Sequence, residues 1–233
     1  MSARRDEVEA ALVRVRERID AACSSAGRDP AEVTLVVVTK FFPASDVRLL
    51  ADLGVRHVGE NRHQEAAGKA SECADLGLDW HFIGTLQSNK AVAVAGYSSV
   101  VQSVDRAKLV TALARGAREA GKVVDCLVQV SLDPPGASGR SGAASSQVHE
   151  LAERILESEH LRLRGVMGVA PLGGDPRDAF VRLGEVASDV RRLAPAATWI
   201  SAGMSGDLEQ AIAEGATHLR IGSAVLGQRP VFK

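Results

Sequence analysis

The 233-residue sequence predicts an α/β fold, a (β/α)8 TIM barrel with an additional N-terminal helix. Eight short apolar segments alternate with segments of helical periodicity. Such alternation makes neighbouring strands parallel, because each helical crossover returns the chain in the same direction. Glycines close five of the helical segments, namely Gly54, Gly77, Gly96, Gly121 and Gly215. Since no linker or shift in composition interrupts the pattern, we expect a single domain over residues 1–233.

The first element is predicted to be a helix that ends near Gly27. Its apolar residues recur at steps of three and four, which is the spacing of one helical face, and arginine and glutamate fill most of the remaining positions. The residues of this apolar face are Val8, Leu12, Val15, Ile19 and Ala22.

Apolar runs mark the strands of the barrel. The first run is continuous and rich in β-branched residues, which is typical of a strand buried on both faces. The eight predicted strands are Val33–Thr39, Val55–Gly59, Trp80–Ile83, Ser99–Val104, Val123–Leu132, Leu163–Ala170, Thr198–Ala202 and His218–Ile221. The helical segments between them are Pro43–Leu53, Asn61–Leu76, Asn89–Ala95, Arg106–Ala120, Gln147–Ser158, Asp178–Leu193 and Asp207–Glu214. A loop rich in Pro, Gly and Ser, Asp133–Ser146, follows the fifth strand.

An open doubly wound sheet is the alternative to a barrel. That fold usually carries its phosphate-binding glycines directly after the first strand. Here the first strand is followed by Lys40-Phe41-Phe42-Pro43, which contains no glycine. Eight strand–helix units in a chain of this length therefore favour the closed barrel.

The composition excludes several classes of function. Lys and Arg number 28 against 29 Asp and Glu, so the net charge of −1 offers no electrostatic drive toward nucleic acid or an acidic membrane surface. No apolar run approaches the length of a membrane helix, and the first residues are charged, so we expect neither a membrane span nor a signal peptide. The three cysteines, Cys23, Cys73 and Cys126, lack metal-ligand spacing. We expect a cytoplasmic protein.

The first candidate functional residue is Lys40, at the end of the first strand. Strand alternation puts Val36, Val38 and Lys40 on one face, so Lys40 points into the mouth of the barrel if the valines fill it. Desolvation there favours the neutral amine, which can attack a carbonyl group. A lysine whose long stem lifts its charge into solvent is the alternative.

Strand eight contributes Arg220 on the same face as His218 and Gly222. Because strand eight neighbours strand one in a closed barrel, Arg220 and Lys40 can share the mouth. Two inward cations require an anionic or polar ligand between them. The alternative for Arg220 is an ion pair with a carboxylate of the barrel such as Glu60.

Two loops carry the pattern of a phosphate site. Ala202–Asp207 follows strand seven and contains Ser205, and Gly222-Ser223-Ala224 follows strand eight. Small residues and hydroxyls at helix starts suit an anion, and these are the two positions where a TIM barrel usually holds phosphate. Each loop taken alone is equally consistent with ordinary helix capping.

Two further segments are more polar than packing requires. Gly59-Glu60-Asn61-Arg62 ends strand two, and an amide-rich loop, Trp80–Lys90, ends strand three. His81 lies in the second of these segments. A lone histidine of this kind is more often a hydrogen-bonded core residue than a catalyst.

These segments together resemble the pyridoxal 5′-phosphate homeostasis proteins (the YggS/PROSC family), whose fold is similar to the barrel domain of alanine racemase. The likeness extends over nearly the whole chain, and the combination of the strand-three loop with the strand-eight ending is specific. The matching stretches are Val36–Lys40, Gly59–Asn61, Trp80–Lys90, Gly165–Met167, Gly203–Ser205 and Arg220–Ser223.

The resemblance implies that Lys40 forms a Schiff base with pyridoxal 5′-phosphate (PLP) and that Arg220 faces the pyridine nitrogen. It further implies that Asn61 and Met167 line the ring. The residues that it implies for the phosphate are Ser205, Gly222 and Ser223.

This sequence departs from the family pattern at three places. Ala202 stands where methionine is usual, and Ser223 stands where threonine is usual but keeps the hydroxyl. Arg140 replaces a lysine in the loop that follows the inserted residues 133–139, which keeps the charge but not the shape of the side chain.

The leading hypothesis is a monomeric carrier that buffers, stores or delivers PLP without robust catalysis. An arginine beside the ring nitrogen weakens the ring as an electron sink. A racemase also needs a second base, which the resemblance implies would be a tyrosine from a second domain or a partner subunit. The only tyrosine, Tyr97, lies beside Gly96 between strands three and four. The expected partners are PLP and the apo forms of PLP-dependent enzymes.

Three alternatives remain open at this stage. The first is a fold-type-III PLP enzyme of low activity, such as an amino-acid racemase. The second is a Schiff-base aldolase that acts on a phosphorylated sugar. The third, a pure interaction module, leaves the cations at the mouth and the anion loops without a purpose.

Overall fold

Eight parallel strands close into a barrel in chain order, with the last strand paired to the first. The computed structural model of the chain describes residues 3–133, 141–173 and 175–228. The predicted loop Asp133–Ser146 is therefore covered only in part, and Arg140 lies outside the described residues. The strands are β1 (Thr34–Val38), β2 (His57–Glu60), β3 (Asp79–Phe82), β4 (Val100–Val104), β5 (Val124–Val130), β6 (Leu161–Gly168), β7 (Trp199–Ser201) and β8 (His218–Ile221). The predicted (β/α)8 fold is confirmed.

Helices surround the barrel, and one precedes it as predicted. Within the described ranges, no helix has both the length and the apolar character that crossing a bilayer requires. The helices are α1 (Ala3–Ser25), α2 (Ala44–Asp52), α3 (His63–Glu72), α4 (Ser88–Tyr97), α5 (Ala107–Glu119), α6 (Ser145–Leu156), α7 (Pro176–Leu193), α8 (Leu208–Ala213) and α9 (Ser223–Leu226).

Alternation along β1 separates the two sides of the barrel wall. Val37 belongs to the apolar layer between the strands and the helices. Val36 and Val38 face the interior, where a Cβ atom on Gly59 would meet both of them at 3.2 and 3.4 Å. Any residue that continues this face beyond Val38 is directed toward the mouth of the barrel.

The additional helix α1 packs against α8 and α9, the two helices that follow the last strands. Arg18 donates hydrogen bonds to the Ser205 carbonyl oxygen (3.2 Å) and to the Glu209 carboxylate (3.1 Å). Arg4 donates to the Leu226 carbonyl oxygen over 3.1 Å. The apolar face of α1 is buried as predicted, and the polar contacts tie the helix to the loop after β7 and to α9.

The largest departure from the predicted elements lies after β2. A continuous helix was expected over Asn61–Leu76, but α3 begins at His63 and a separate 3₁₀ turn spans Ala74–Leu76. Arg62 stays extended (φ −127°, ψ 120°), which keeps the end of β2 directed at the mouth. Cys73 leaves helical geometry at ψ 20°, and this interrupts the hydrogen-bond ladder before the turn.

Candidate functional site at the mouth of the barrel

The carboxyl ends of the strands surround two adjoining cavities of about 480 and 370 Å³. Both cavities are lined by Lys40, Ile83, Met204 and Arg220. We call the larger cavity the serine lobe, after its lining residues Ser205, Gly206, Gly222 and Ser223. We call the smaller one the amide lobe, after its lining residues Asn61, Thr85, Gln129 and Ser141.

Lys40 lies where the two lobes meet. It follows β1 on the face of Val36 and Val38, and its half-buried side chain lines both cavities. Its Nζ atom lies 5.9 Å from the centroid of the Phe41 ring. The mouth therefore presents a primary amine to any ligand that occupies either lobe.

The backbone on both sides of Lys40 is held by side chains of α3. Lys69 donates a hydrogen bond of 2.7 Å from Nζ to the Thr39 carbonyl oxygen. The Phe41 N–H donates to the Glu65 carboxylate, and Phe41 adopts a left-handed φ of 71°, which is uncommon for a residue other than glycine. These contacts determine the direction in which Lys40 leaves the end of β1.

Lys69 is also the ionic partner of Glu60, at the end of β2. Glu60 Oε1 accepts from Lys69 Nζ and from the Thr39 hydroxyl, each over 2.7 Å. Burial raises the pKa of Glu60, and the hydrogen bonds and charge of Lys69 act in the opposite direction. Among the described residues, Glu60 Oε2 is buried without a hydrogen-bond partner.

Sequence reasoning missed Lys69 and Glu65. A usable signal was present, because the two residues are spaced i,i+4 and therefore share one face of α3 with the apolar Ala66. A lysine on a helix face that packs on the barrel requires a buried partner. In the sequence, Glu60 is the carboxylate at a strand end that lies nearest to Lys69.

Arg220 is directed inward and is only 5 % exposed. Its Nη1 donates to the Ser201 hydroxyl over 2.7 Å, and its Nη2 donates to the Gly168 carbonyl oxygen over 2.8 Å. The alternative of an ion pair with Glu60 is wrong, because Glu60 is engaged by Lys69. Burial lowers the pKa of Arg220 to about 10, so the guanidinium remains charged at neutral pH.

The two candidate phosphate loops meet in the serine lobe. Ser205 Oγ lies 3.4 Å from both Ser223 Oγ and the backbone nitrogen of Ala224. Gly203 turns the chain after β7 with a left-handed φ of 89°, and a Cβ atom there would come within 2.7 Å of Ala211. The loops after β7 and β8 thus bring two hydroxyls and a backbone N–H together.

Asn61 and Met167 occupy different places. Asn61 lines the amide lobe, and its Oδ1 is buried without a hydrogen-bond partner among the described residues. Met167 lies inside the barrel with Val100 and Leu127, and it is not one of the described residues that line the lobes. The assignment of Met167 to a ligand ring stays a prediction.

His81 is a hydrogen-bonded interior residue and lies away from both lobes. Its ring accepts from the Gln102 side chain over 2.9 Å and lies 3.2 Å from a ring nitrogen of His57. Burial lowers the pKa of His81 well below the ordinary value, and the nearby His57 and His218 lower it further. The ring is therefore neutral at neutral pH.

The fold and the mouth of the barrel define the class of protein. Residues 12–230 match the family model described as alanine racemase, N-terminal domain. The chain is thus a member of the alanine racemase N-terminal domain class of barrels.

Relatives and a solved structure narrow this class. The chain is 42 % identical over 243 aligned positions to a pyridoxal phosphate homeostasis protein of Mycobacterium bovis, covering 97 % of this chain and 94 % of the relative. It is 36 % identical over 232 positions to the protein of the same name in Escherichia coli K12, covering 95 % and 97 %. The structure of PipY from Synechococcus elongatus, described with PLP bound, matches with a TM-score of 0.82 and 33 % identity, covering 94 % of this chain and all of that one. This chain belongs to the pyridoxal phosphate homeostasis protein family.

Proposed function

We propose that this chain binds PLP as a Schiff base on Lys40 and serves in the intracellular homeostasis of that cofactor by buffering, storing or delivering it. The observation that carries the proposal is the position of Lys40 at the junction of the lobes, with Arg220 beside it and the Ser205 and Ser223 hydroxyls in the same cavity. The amine, the buried guanidinium and the pair of hydroxyls fit the aldehyde, the pyridine nitrogen and the phosphate of PLP, respectively.

The residues of the serine lobe fit the phosphate of PLP. The Ser223 hydroxyl and the Ala224 backbone nitrogen each lie 3.4 Å from the Ser205 hydroxyl oxygen, and the described residues that line this lobe include no carboxylate. Gly222 lies against Val38, and a Cβ atom built on Gly222 would lie 3.4 Å from that residue. We therefore assign the phosphate to Ser205, Gly222 and Ser223.

Lys40 supplies the covalent bond. The lone pair of its neutral Nζ attacks the aldehyde carbon, both N–H hydrogens leave with the carbonyl oxygen as one water molecule, and a C=N bond remains. No other reactant is consumed, so addition of water reverses the step and releases the cofactor. Reversibility of this kind suits a carrier.

Arg220 disfavours the electron-sink chemistry that PLP supplies to enzymes when bound. A guanidinium only donates hydrogen bonds, so the ring nitrogen that faces Arg220 has to accept and stays unprotonated. The cation remains in place at neutral pH because burial lowers the pKa of Arg220 only to about 10. Asn61, which lines the neighbouring lobe, would contact the ring from the side.

Tyr97 supports a carrier without a robust catalytic activity. It is the only tyrosine of the chain, and it lies on α4, where its ring stacks on His63 at a centroid distance of 5.9 Å. Burial raises the pKa of Tyr97. Tyr97 lines a separate groove beside Trp80, so it is not placed to act as a second base at Lys40.

Borohydride reduction of the purified protein loaded with PLP tests the covalent assignment. We expect an imine absorption band that disappears on reduction, with the added mass on the peptide that contains Lys40. Lys40→Ala should lack both the band and the added mass. Lys108→Ala, an exposed lysine on α5, is the matched control and should behave as the wild type. An unchanged band in Lys40→Ala would overturn the assignment.

A low-activity fold-type-III enzyme, such as an amino-acid racemase, is the second candidate. The amide lobe favours it, because a cavity of about 370 Å³ with both polar and apolar walls adjoins Lys40 and can admit a small amine. Sustained conversion of an L-amino acid to its D-form, lost in Lys40→Ala, would establish this activity. Absence of turnover with the full set of amino acids would reject the racemase and leave the carrier function.

We extend the carrier proposal to a cytoplasmic monomer that delivers PLP to apo enzymes. Light scattering of the loaded protein should give the mass of one chain. Transfer is measured by mixing loaded protein with an apo PLP-dependent enzyme and following the recovery of its activity. Recovery no faster than with the same concentration of free PLP would contradict direct delivery.

A further inference from the structure

A chain of hydrogen bonds crosses the interior of the barrel from Arg220 to His57. Arg220 Nη1 donates to Ser201 Oγ over 2.7 Å, and Ser201 Oγ donates to Gln102 Oε1 over 2.7 Å. The Gln102 amide nitrogen lies 2.9 Å from His81 Nδ1. His81 Nε2 lies 3.2 Å from His57 Nδ1. The five side chains come from β8, β7, β4, β3 and β2.

The middle of this chain is sealed from solvent, whereas its far end is not. Ser201, Gln102 and His81 are each at most 1 % exposed. His57 is the first residue of β2, at the end of the strand away from the mouth, and its side chain is 33 % exposed beside Asp79, whose carboxylate lies 3.6 Å away. The chain of hydrogen bonds thus connects the mouth of the barrel with the end of β2 that lies away from the mouth.

The Arg220 guanidinium determines which group donates and which accepts in every hydrogen bond between Arg220 and His57. A guanidinium has no acceptor, so Ser201 Oγ accepts from Arg220 and uses its own hydrogen toward Gln102 Oε1. The amide nitrogen of Gln102 then donates to His81 Nδ1. A neutral His81 carries its single hydrogen on Nε2 and donates it to His57 Nδ1, which therefore acts as an acceptor. Reversing one bond would leave a buried donor facing a donor.

We propose that Ser201, Gln102 and His81 are positioning residues for Arg220, and that the chain ending at His57 holds the guanidinium plane toward the mouth. Two of the five N–H groups of Arg220 are committed to Ser201 and to the Gly168 carbonyl oxygen, which leaves the others for a ligand. The inference rests on the proposed function, because it assigns those remaining groups to the pyridine nitrogen of PLP.

The first test is the tautomer of His81 in the ligand-free protein. Nitrogen-15 spectra of the histidine rings should show His81 neutral and protonated at Nε2. Gln102→Glu offers only acceptors, so it should move the hydrogen of His81 to Nδ1 or charge the ring. A wild-type His81 protonated at Nδ1 would overturn the inference, whatever the protein binds.

The second test is the affinity for PLP at neutral pH. Ser201→Ala should weaken binding about tenfold, as expected when a buried hydrogen bond to the charged Arg220 is lost. Gln102→Leu removes the acceptor of the Ser201 hydroxyl and should weaken binding about threefold to tenfold, as expected for a bond between neutral groups. Ser201→Thr retains the hydroxyl and should remain within about twofold of the wild type. Ser103→Ala is the matched control, because Ser103 neighbours Gln102, is equally buried and has no hydrogen-bond partner for its hydroxyl among the described residues.

The outcomes separate this inference from the proposed function. Loss of labelling at Lys40 in the borohydride experiment removes the function and leaves the tautomer result standing. If Gln102→Leu is still labelled at Lys40 and binds PLP with wild-type affinity, the positioning role is overturned and the proposed function stands. Equal weakening in Ser103→Ala also overturns it, because a general loosening of the barrel then explains the effect.

Discussion

The Lys69 ammonium donates a hydrogen bond of 2.7 Å to the carbonyl oxygen of Thr39, the residue directly before Lys40. The same ammonium neutralises the buried Glu60 and contacts Glu65, whose carboxylate accepts the N–H of the residue directly after Lys40. One cation on α3 therefore supports the backbone on both sides of Lys40.

Removal of Lys69 should cost stability. Lys69→Met leaves Glu60 buried without its ionic partner, and we expect the free energy of unfolding to fall by about 3–5 kcal/mol. The double variant Lys69→Met/Glu60→Gln should lose less, because the uncompensated charge is gone. Urea unfolding of the two single variants and the double variant measures the coupling. Additive single losses would contradict the pairing, and the exposed Lys108→Met is the control.

Acid should destabilise the fold through its buried histidines. Burial is the main cause that lowers the pKa of His218 to about 3, and burial also lowers that of His81, whereas an unfolded histidine titrates near 6.5. Between those values the unfolded chain binds more protons, so stability present at pH 7 is lost as the pH falls. The slope is about 1.4 kcal/mol per pH unit for each ring that titrates only on unfolding.

The contribution of His218 can be isolated by substitution. His218→Gln should flatten the dependence of the unfolding free energy on pH between about 6 and 4 by close to one proton. Equal slopes in wild type and His218→Gln would show that this ring does not titrate on unfolding.

Gly203 should be intolerant of a side chain. Its φ is 89°, and a Cβ atom would come within 2.7 Å of Ala211 and 2.8 Å of Leu219. We expect Gly203→Ala to lower the free energy of unfolding by about 2–5 kcal/mol, from backbone strain together with overpacking. Gly206→Ala in the same loop has open space around the added atom and should change stability by less than about 1 kcal/mol. Thermal unfolding compares the two variants.

Arg18 links the additional helix to the serine lobe. Its guanidinium donates to the carbonyl oxygen of Ser205 and to the exposed Glu209, so its removal should reduce stability by less than about 1 kcal/mol. Because the contact steadies the loop that carries the Ser205 hydroxyl, Arg18→Ala should weaken PLP binding about two- to threefold. Fluorescence titration measures it against Arg14→Ala, an exposed neighbour on α1. Indistinguishable affinities would mean that the helix does not influence the loop.

Much of the fold and part of the site follow from the sequence. The alternation along β1 was enough to predict that Val36, Val38 and Lys40 share one face, because a strand has only two faces. That this face is the inner one is shown by the structure. The neighbouring position of β1 and β8 followed from closure of the barrel. The order of the elements was also predictable, because each apolar run is bounded by glycine or polar residues.

The partners of the strand-end side chains were not predictable in this way. Alternation places Arg220 on one face of β8 and Glu60 on the face of β2 opposite to Gly59, but it does not show which group each one meets. Lys69 reaches Glu60 from a helix, so no strand pattern indicates it. Gln102 lies within an apolar strand, and its role depends on residues of three other strands.

Closure of the barrel through β1 and β8 has a consequence for how the protein is made. Lys40 follows the first strand of the barrel, whereas Arg220 lies on the last strand and Ser223 directly after it. The ribosome therefore makes the amine well before the residues proposed for the ring nitrogen and the phosphate. Under the proposed function, the nascent polypeptide retains the cofactor only after the last strand has been synthesised and has paired with the first.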